Sequence, residues 1–182
     1  MKQHQNQVIT QNAYVVRDIE EAANRWRQFL NIGPVFVMPH IPLSNVTYRG
    51  EAAELDLTAA VAFAGHVQLE WIVQHNVAPS AYRDVVPAGE EGFHHICFYP
   101  DDYDAEVARY EALGCPVATS GEVSQANGRR FCYIDTRPQL NCMVELVDAP
   151  EGAGIVWEAL REATDSWDGK TDPIREMSLG AP

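Results

Sequence analysis

Residues Gln11 to Trp26 read Q-N-A-Y-V-V-R-D-I-E-E-A-A-N-R-W, and residues His95 to Tyr110 read H-I-C-F-Y-P-D-D-Y-D-A-E-V-A-R-Y. At this offset of 84 residues Asp18 aligns with Asp102, Glu20 with Asp104, Arg25 with Arg109 and Trp26 with Tyr110. Both stretches soon reach Pro-Val, at Pro34-Val35 and Pro116-Val117. Self-similarity at one offset marks a chain built from two copies of a single supersecondary unit.

Outward from that pair, each copy opens on an apolar run suited to a strand, Val8 to Val16 and His94 to Tyr99. Asp18 and Asp102 then stand where a helix N-cap accepts from orphaned backbone N–H groups. Helical spacing follows through Ile19, Ala22, Ala23, Trp26, Phe29 and Leu30 in the first copy, and through Tyr103, Val107, Tyr110 and Leu113 in the second. Gly33 and Gly114 are placed to stop the two helices. Strand-like runs come next, at Val35–Met38, Asn45–Tyr48, Ala53–Phe63 and His66–Val73, then at Val117–Ser120, Arg130–Asp135 and Cys142–Val147. Turn signals at Gly50, Ala64-Gly65, Asn127-Gly128 and Arg137-Pro138 separate them. The surplus length of the first copy falls at His40 to Ala53.

One helix on a short sheet buries little, so the copies must combine their sheets. The expected fold is α+β: a first βαβββ module at 8–74, a linker at 75–92 with one helical turn near Ala81 to Val85, and a second βαβββ module at 93–148. A C-terminal helix near Ile155 to Ala163 and a polar tail occupy 149–182. The modules pair into a curved, barrel-like mixed sheet, and its exposed edges lead to the expectation of a homodimer.

The chain has 182 residues, 46% of them hydrophobic, which is enough to bury a core and excludes a disordered chain. Its 26 acidic and 13 basic side chains leave a net charge of −13, which repels nucleic-acid phosphates and anionic membrane surfaces. The opening MKQHQNQVITQ has no apolar signal core, and the run Leu57 to Gly65 is far short of the roughly 20 residues a spanning helix needs. These features predict a cytoplasmic protein with no nucleic-acid or membrane partner. Cys97, Cys115, Cys132 and Cys142 form no CxxC pair, so they are expected as free buried thiols rather than a zinc site or disulfides.

Equivalent positions in the two copies carry the candidate chemistry. Gln11 and His95 start the first strands; Glu70, in V-Q-L-E-W-I-V, and Glu145, in M-V-E-L-V, lie inside closing strands that are otherwise apolar. A carboxylate there is costly unless it is paired or bound to a cation. One imidazole, two carboxylates and an amide oxygen suit one divalent metal ion: Zn, Ni, Co, Mn or Fe. Gln68 shares the face of Glu70 and competes for its place, and Asn12 competes with Gln11 if the register slips by one. In a regular strand His94 faces away from His95. Arg129 and Arg130 suit a substrate carboxylate or phosphate, and Tyr133 and Trp71 suit the pocket wall. His40, His66 and His75 lie near turns and are expected to be exposed.

G-F-H-H-I-C-F-Y-P-D-D, the V-E-L-V strand ending and the doubled strand–helix–strands plan resemble the vicinal oxygen chelate superfamily, which includes glyoxalase I, methylmalonyl-CoA epimerase, extradiol dioxygenases and bleomycin-resistance proteins. H-H-I-C with D-D following, and L-E-W-I-V-Q, are most similar to the epimerase. The resemblance runs from about Val8 to Val147 and implies a glyoxalase-like fold. Most metal-binding members have His where this chain has Gln11. The resemblance implies an isomerase or lyase, with Glu145 or Glu70 as the base beside a metal-polarised carbonyl of a small substrate with adjacent oxygens. The alternative is a metal-free small-molecule binding protein on the same scaffold. A ring-cleaving dioxygenase is disfavoured, because such iron sites use two His and one carboxylate.

Overall fold

In chain order the computed structural model, which describes residues 7–124, 128–148 and 153–177, contains β1 (Gln11–Val15), α1 (Ile19–Leu30), β2 (Val35–Met38), β3 (Leu43–Tyr48), β4 (Glu51–Ala52), β5 (Leu57–Ala64), β6 (Val67–Gln74) and α2 (Ala81–Val85). Then follow β7 (Gly92–Phe98), α3 (Tyr103–Ala112), β8 (Val117–Val123), β9 (Arg129–Ile134), α4 (Arg137–Leu140), β10 (Met143–Val147), α5 (Ala153–Asp165) and β11 (Ile174–Glu176). Asn127 of the expected turn and the ends of the expected tail, 149–152 and 178–182, lie outside the described residues. The two aligned aspartates do cap their helices: Asp18 accepts from the Glu21 N–H and Asp102 from the Ala105 N–H. Gly114, at φ +78°, follows α3 in the left-handed region that glycine adopts without a Cβ penalty. The first helix ends differently from expectation, because Asn31 rather than Gly33 takes the left-handed cap position.

The eleven strands form one open mixed sheet in the order β11-β2-β5-β6-β1-β7-β10-β9-β8-β3-β4. At its centre the two first strands, β1 and β7, run antiparallel with Ala13 opposite His95. Outside them lie the two closing strands, with β6 parallel to β1 and β10 parallel to β7. The surplus segment of the first copy forms β3 and β4, and β3 extends the other half of the sheet by pairing with β8. The C-terminal segment returns the exchange, since β11 pairs with β2. The sheet's free edges are thus strands of two and three residues, which expose few unpaired backbone groups.

Each face of the sheet is buried by a different set of elements. On one face α1 packs Ala22, Ala23 and Trp26 over Leu69, Trp71, Val35 and Ala60, and α3 packs Tyr103, Val107 and Tyr110 over Phe98, Cys132, Ile134 and Leu146. On the other face Ala13, Ala59, Ile72, Phe131, Tyr133 and Met143 form a concave core against which α5 lays Trp157, Leu160 and Ala163. All four cysteines are buried and free. No helix among the described residues is long and apolar enough to cross a membrane.

Two contacts fix the outlying segments. Arg49, in the turn between β3 and β4, reaches both Asp84 of α2 and Asp135, and Arg137 also holds Asp135, so charged groups pin α2 to the second half of the sheet. The C-terminal segment rests its Trp167 indole on Gly33, where a Cβ would come within 2.7 Å of the ring. Gly33→Ala is therefore expected to lower unfolding stability by about 1–3 kcal/mol. Urea denaturation measures the loss, and limited proteolysis should show faster cleavage after Trp167.

Candidate functional site

The central four strands bring the predicted donors together through matching registers. Gln11 pairs with Gln68 across β1 and β6, and Glu70 stands two residues further along β6. His95 pairs with Met143 across β7 and β10, and Glu145 stands two residues further along β10. Glu70 and Glu145 are separated by three strand spacings, roughly 14 Å in a flat sheet. Sheet curvature and side-chain reach close that gap: one ligand-type atom from each of Glu70, His95 and Glu145 lies within 4.8 Å of the others.

His95 Nε2 is the point of convergence. It lies 3.3 Å from Gln11 Oε1, 3.5 Å from Glu70 Oε2 and 3.2 Å from Glu145 Oε2. Gln11 donates its Nε2–H to Gln68 Oε1, which leaves its own carbonyl oxygen turned toward His95. Gln68 therefore orients Gln11, while Glu70 faces the imidazole. Metal–N/O bonds of about 2.0–2.2 Å place neighbouring donors around one ion roughly 3.0–3.5 Å apart. His95 Nε2 already has that spacing to each of the three oxygens, so the residues present fit a divalent ion.

The strand β7 departs from regular alternation at this place. Ala13 pairs with His95 but Tyr14 pairs with Phe93, so His94 is an extra residue in a bulge. His94 does not face away as a regular strand requires; both imidazoles are fully buried, with Nδ1 atoms 2.7 Å apart. The Ala81 carbonyl of α2 lies 3.0 Å from His94 Nε2 and can only accept, so that nitrogen carries a proton. Burial, then the neighbouring His95, holds the His94 pKa well below the ordinary histidine value and keeps the ring neutral. Its Nδ1 consequently accepts from His95 Nδ1–H. With its Nδ1–H committed to His94, His95 turns Nε2 toward three oxygen acceptors, an arrangement completed by a proton on that nitrogen or by a cation in its place.

Electrostatics separate the two carboxylates. Burial, with the Glu145 charge added, raises the Glu70 pKa well above the usual carboxylate range. Burial also pushes Glu145 upward, but the His95 charge and hydrogen bonds from His95, Cys97 and Tyr133 outweigh it and leave Glu145 lowered. Tyr133 is itself braced by the Tyr82 hydroxyl of α2 at 2.8 Å.

Gln11, Glu70 and Glu145 floor a cavity of about 120 Å³ on the concave face, with walls that include Met38, Leu57, Ile72, Phe131, Val147 and Trp157. Of the expected substrate contacts, Tyr133 and Arg129 line the cavity. Trp71 and Arg130 do not, because alternation turns them the other way. Trp71 is fully buried under α1, edge-on to Trp26, and Arg130 is paired outside with Asp104 and Asp148. Tyr82 and Trp157 were not singled out from the sequence, although Ser80 as the α2 N-cap marked where Tyr82 would fall. His40, His66 and His75 are exposed as expected; His40 and His75 group with Asp56 outside the cavity.

Three comparisons bear on this site. The family described as the glyoxalase/bleomycin resistance protein/dioxygenase superfamily matches residues 10–133, well over half the chain. Among solved structures, the Mycobacterium tuberculosis methylmalonyl-CoA epimerase superposes with a TM-score of 0.53 at 14% identity, covering 80% of this chain and 91% of that one. A Streptomyces coelicolor methylmalonyl-CoA epimerase variant in complex with 2-nitronate-propionyl-CoA gives 0.55 at 16% identity, covering 81% and 97%. A hypothetical protein from Bacillus halodurans gives 0.56 at 14% identity, covering 82% and 99%. At these identities the structures share the fold. No curated protein sequence matches the chain.

His94→Phe keeps the ring but removes both hydrogen bonds. Divalent-metal affinity is expected to fall about 10–100-fold, the usual cost of losing a group that orients a ligand. Cobalt titration measures the affinity, and ¹⁵N shifts of the His95 ring should show a mixture of tautomers in place of the Nδ1–H form.

Proposed function

Because the chain belongs to the glyoxalase/bleomycin resistance protein/dioxygenase superfamily, we propose that it is a metal-dependent isomerase or lyase that moves a proton beside a carbonyl of a small organic substrate. The observation carrying this reading is the convergence of Gln11, Glu70 and Glu145 on His95 Nε2 at the floor of an apolar cavity. These four residues would hold one divalent ion, and a bound ion would polarise adjacent substrate oxygens and lower the cost of negative charge on them.

The chain's own residues supply the rest. Glu70 comes from β6 and Glu145 from β10, on either side of the central β1–β7 pair. A substrate resting between them meets a carboxylate on each flank, so one takes the proton and the other is placed to return it. Glu145, 3.2 Å from His95 Nε2 and held below the ordinary carboxylate pKa, is the carboxylate that stays ionised and is placed as the base. The apolar walls exclude water from the reacting carbon. The net charge of −13 disfavours a polyanionic acyl-coenzyme A and favours a smaller substrate.

Gln11 in place of an imidazole favours a second reading, a metal-free small-molecule binding protein. Metal analysis separates the two. Protein purified without added ions is expected to carry about one divalent ion per chain, or to take one up on titration; far less than one, with no uptake, would remove the enzymatic reading. Glu145→Gln should lower turnover by about 10²–10⁴-fold, the usual share of a general base. Solvent deuterium incorporation into methylmalonyl-CoA and into a hemithioacetal of methylglyoxal provides the assay, and an unchanged rate would exclude Glu145 as the base.

A further inference from the structure

Arg129, Phe131 and Tyr133 alternate along β9 on the cavity side, while Arg130 and Cys132 face the other way. The two adjacent arginines differ in what they hold. Arg130 is neutralised by Asp104 and Asp148. Arg129 has no ion-pair or hydrogen-bond partner among the described residues, and its Nε is shut off from water without an acceptor. The Trp157 indole N–H, brought in by α5, is in the same condition. A third orphaned donor, Trp71 Nε1, lies in the core under α1, but the other two line one cavity. A buried donor without an acceptor costs free energy that an arriving oxygen recovers.

The position of Arg129 gives the orphaned donors a direction. Tyr133 pairs with Glu145, and Arg129 lies four residues further along β9, roughly 13 Å at the usual strand rise. Apolar side chains, Phe131 and Val147 among them, fill the interval. Arg129 is also the sole basic side chain among the described residues lining the cavity. A divalent ion held there would balance Glu70 and Glu145, which leaves the guanidinium to be matched by a separate anion.

We infer that the substrate is an apolar organic acid whose adjacent oxygens sit at the Gln11, Glu70, His95 and Glu145 end and whose carboxylate is held by Arg129 and the Trp157 indole N–H. The oxygen-pair half of this inference rests on the proposed metal-centre function; the carboxylate half rests on the orphaned donors. A guanidinium fork matches a carboxylate's two oxygens, and the indole N–H adds a single further donor, which suits a carboxylate better than a phosphate.

Two ligand pairs test the halves separately. Metal-free protein is titrated with hexanoate and with hexanamide, followed by calorimetry. Wild type is expected to prefer the acid by about tenfold, the advantage of a charge-assisted over a neutral hydrogen bond, and Arg129→Gln to reduce that preference below about threefold. Trp157→Phe should weaken acid binding by about threefold through loss of one donor. Equal binding of acid and amide to wild type, or a preference surviving Arg129→Gln, would overturn the carboxylate assignment. The monohydroxamate of adipic acid and its primary-amide counterpart are then added to cobalt-loaded protein. Both should shift the visible cobalt spectrum, with the acid again binding more tightly. A spectrum unmoved by either compound would defeat the metal-centre reading, while the hexanoate result still decides the carboxylate.

Discussion

The antiparallel pairing of β1 with β7 is the constraint on which the rest depends. Neither half of the sheet contains a complete donor set: Gln11 and Glu70 belong to one, His95 and Glu145 to the other. Only the register that sets Ala13 against His95 aligns them. A slip by one residue would turn every alternate side chain to the opposite face and carry the donors under the helices. Ala13, fully buried at the seam, leaves room for the imidazole opposite it.

Around that seam the fold isolates costly groups. Two carboxylates and two imidazoles sit where an apolar core would be more stable, and an unpaired charge there carries a large desolvation cost. Their environment divides the labour: Glu145 collects hydrogen bonds and a neighbouring charge, while Glu70 gains chiefly burial. The bulge at His94 adds a second imidazole behind the first and ties it to the Ala81 carbonyl. The segment joining the two halves thus takes part in the site. Ser80 caps α2, the Ala81 N–H donates to Thr119, and Tyr82 braces Tyr133.

Much of this was legible in the residues themselves. The repeat at an offset of 84 residues pointed to the element order, Asp18 and Asp102 to the helix starts, and matched positions to the four residues that meet at His95 Nε2. The departures have identifiable physical causes. Strict alternation cannot reveal a bulge, so His94 was placed on the wrong face. Strand β6 is apolar on both sides of its carboxylate, so periodicity did not show that Trp71 belongs under α1. Two adjacent arginines look alike until alternation sends Arg129 inward and Arg130 out. Gly33 was read as a helix stop, whereas its lack of a side chain serves the close approach of Trp167. Long-range pairings such as β3 with β8 and β11 with β2 leave no local pattern at all.

The late position of α5 and β11 in the chain has a consequence for biosynthesis. Synthesis delivers the eight strands of the two repeats, and every donor on the cavity floor, before Trp157 exists. The floor can therefore assemble on the ribosome while its wall is still missing, and the cavity gains that wall only when α5 lays Trp157 against the concave core. Such distant contacts form slowly because the intervening chain must first be ordered. Until α5 docks, Glu70 and Glu145 thus face a cavity that lacks one of its apolar walls.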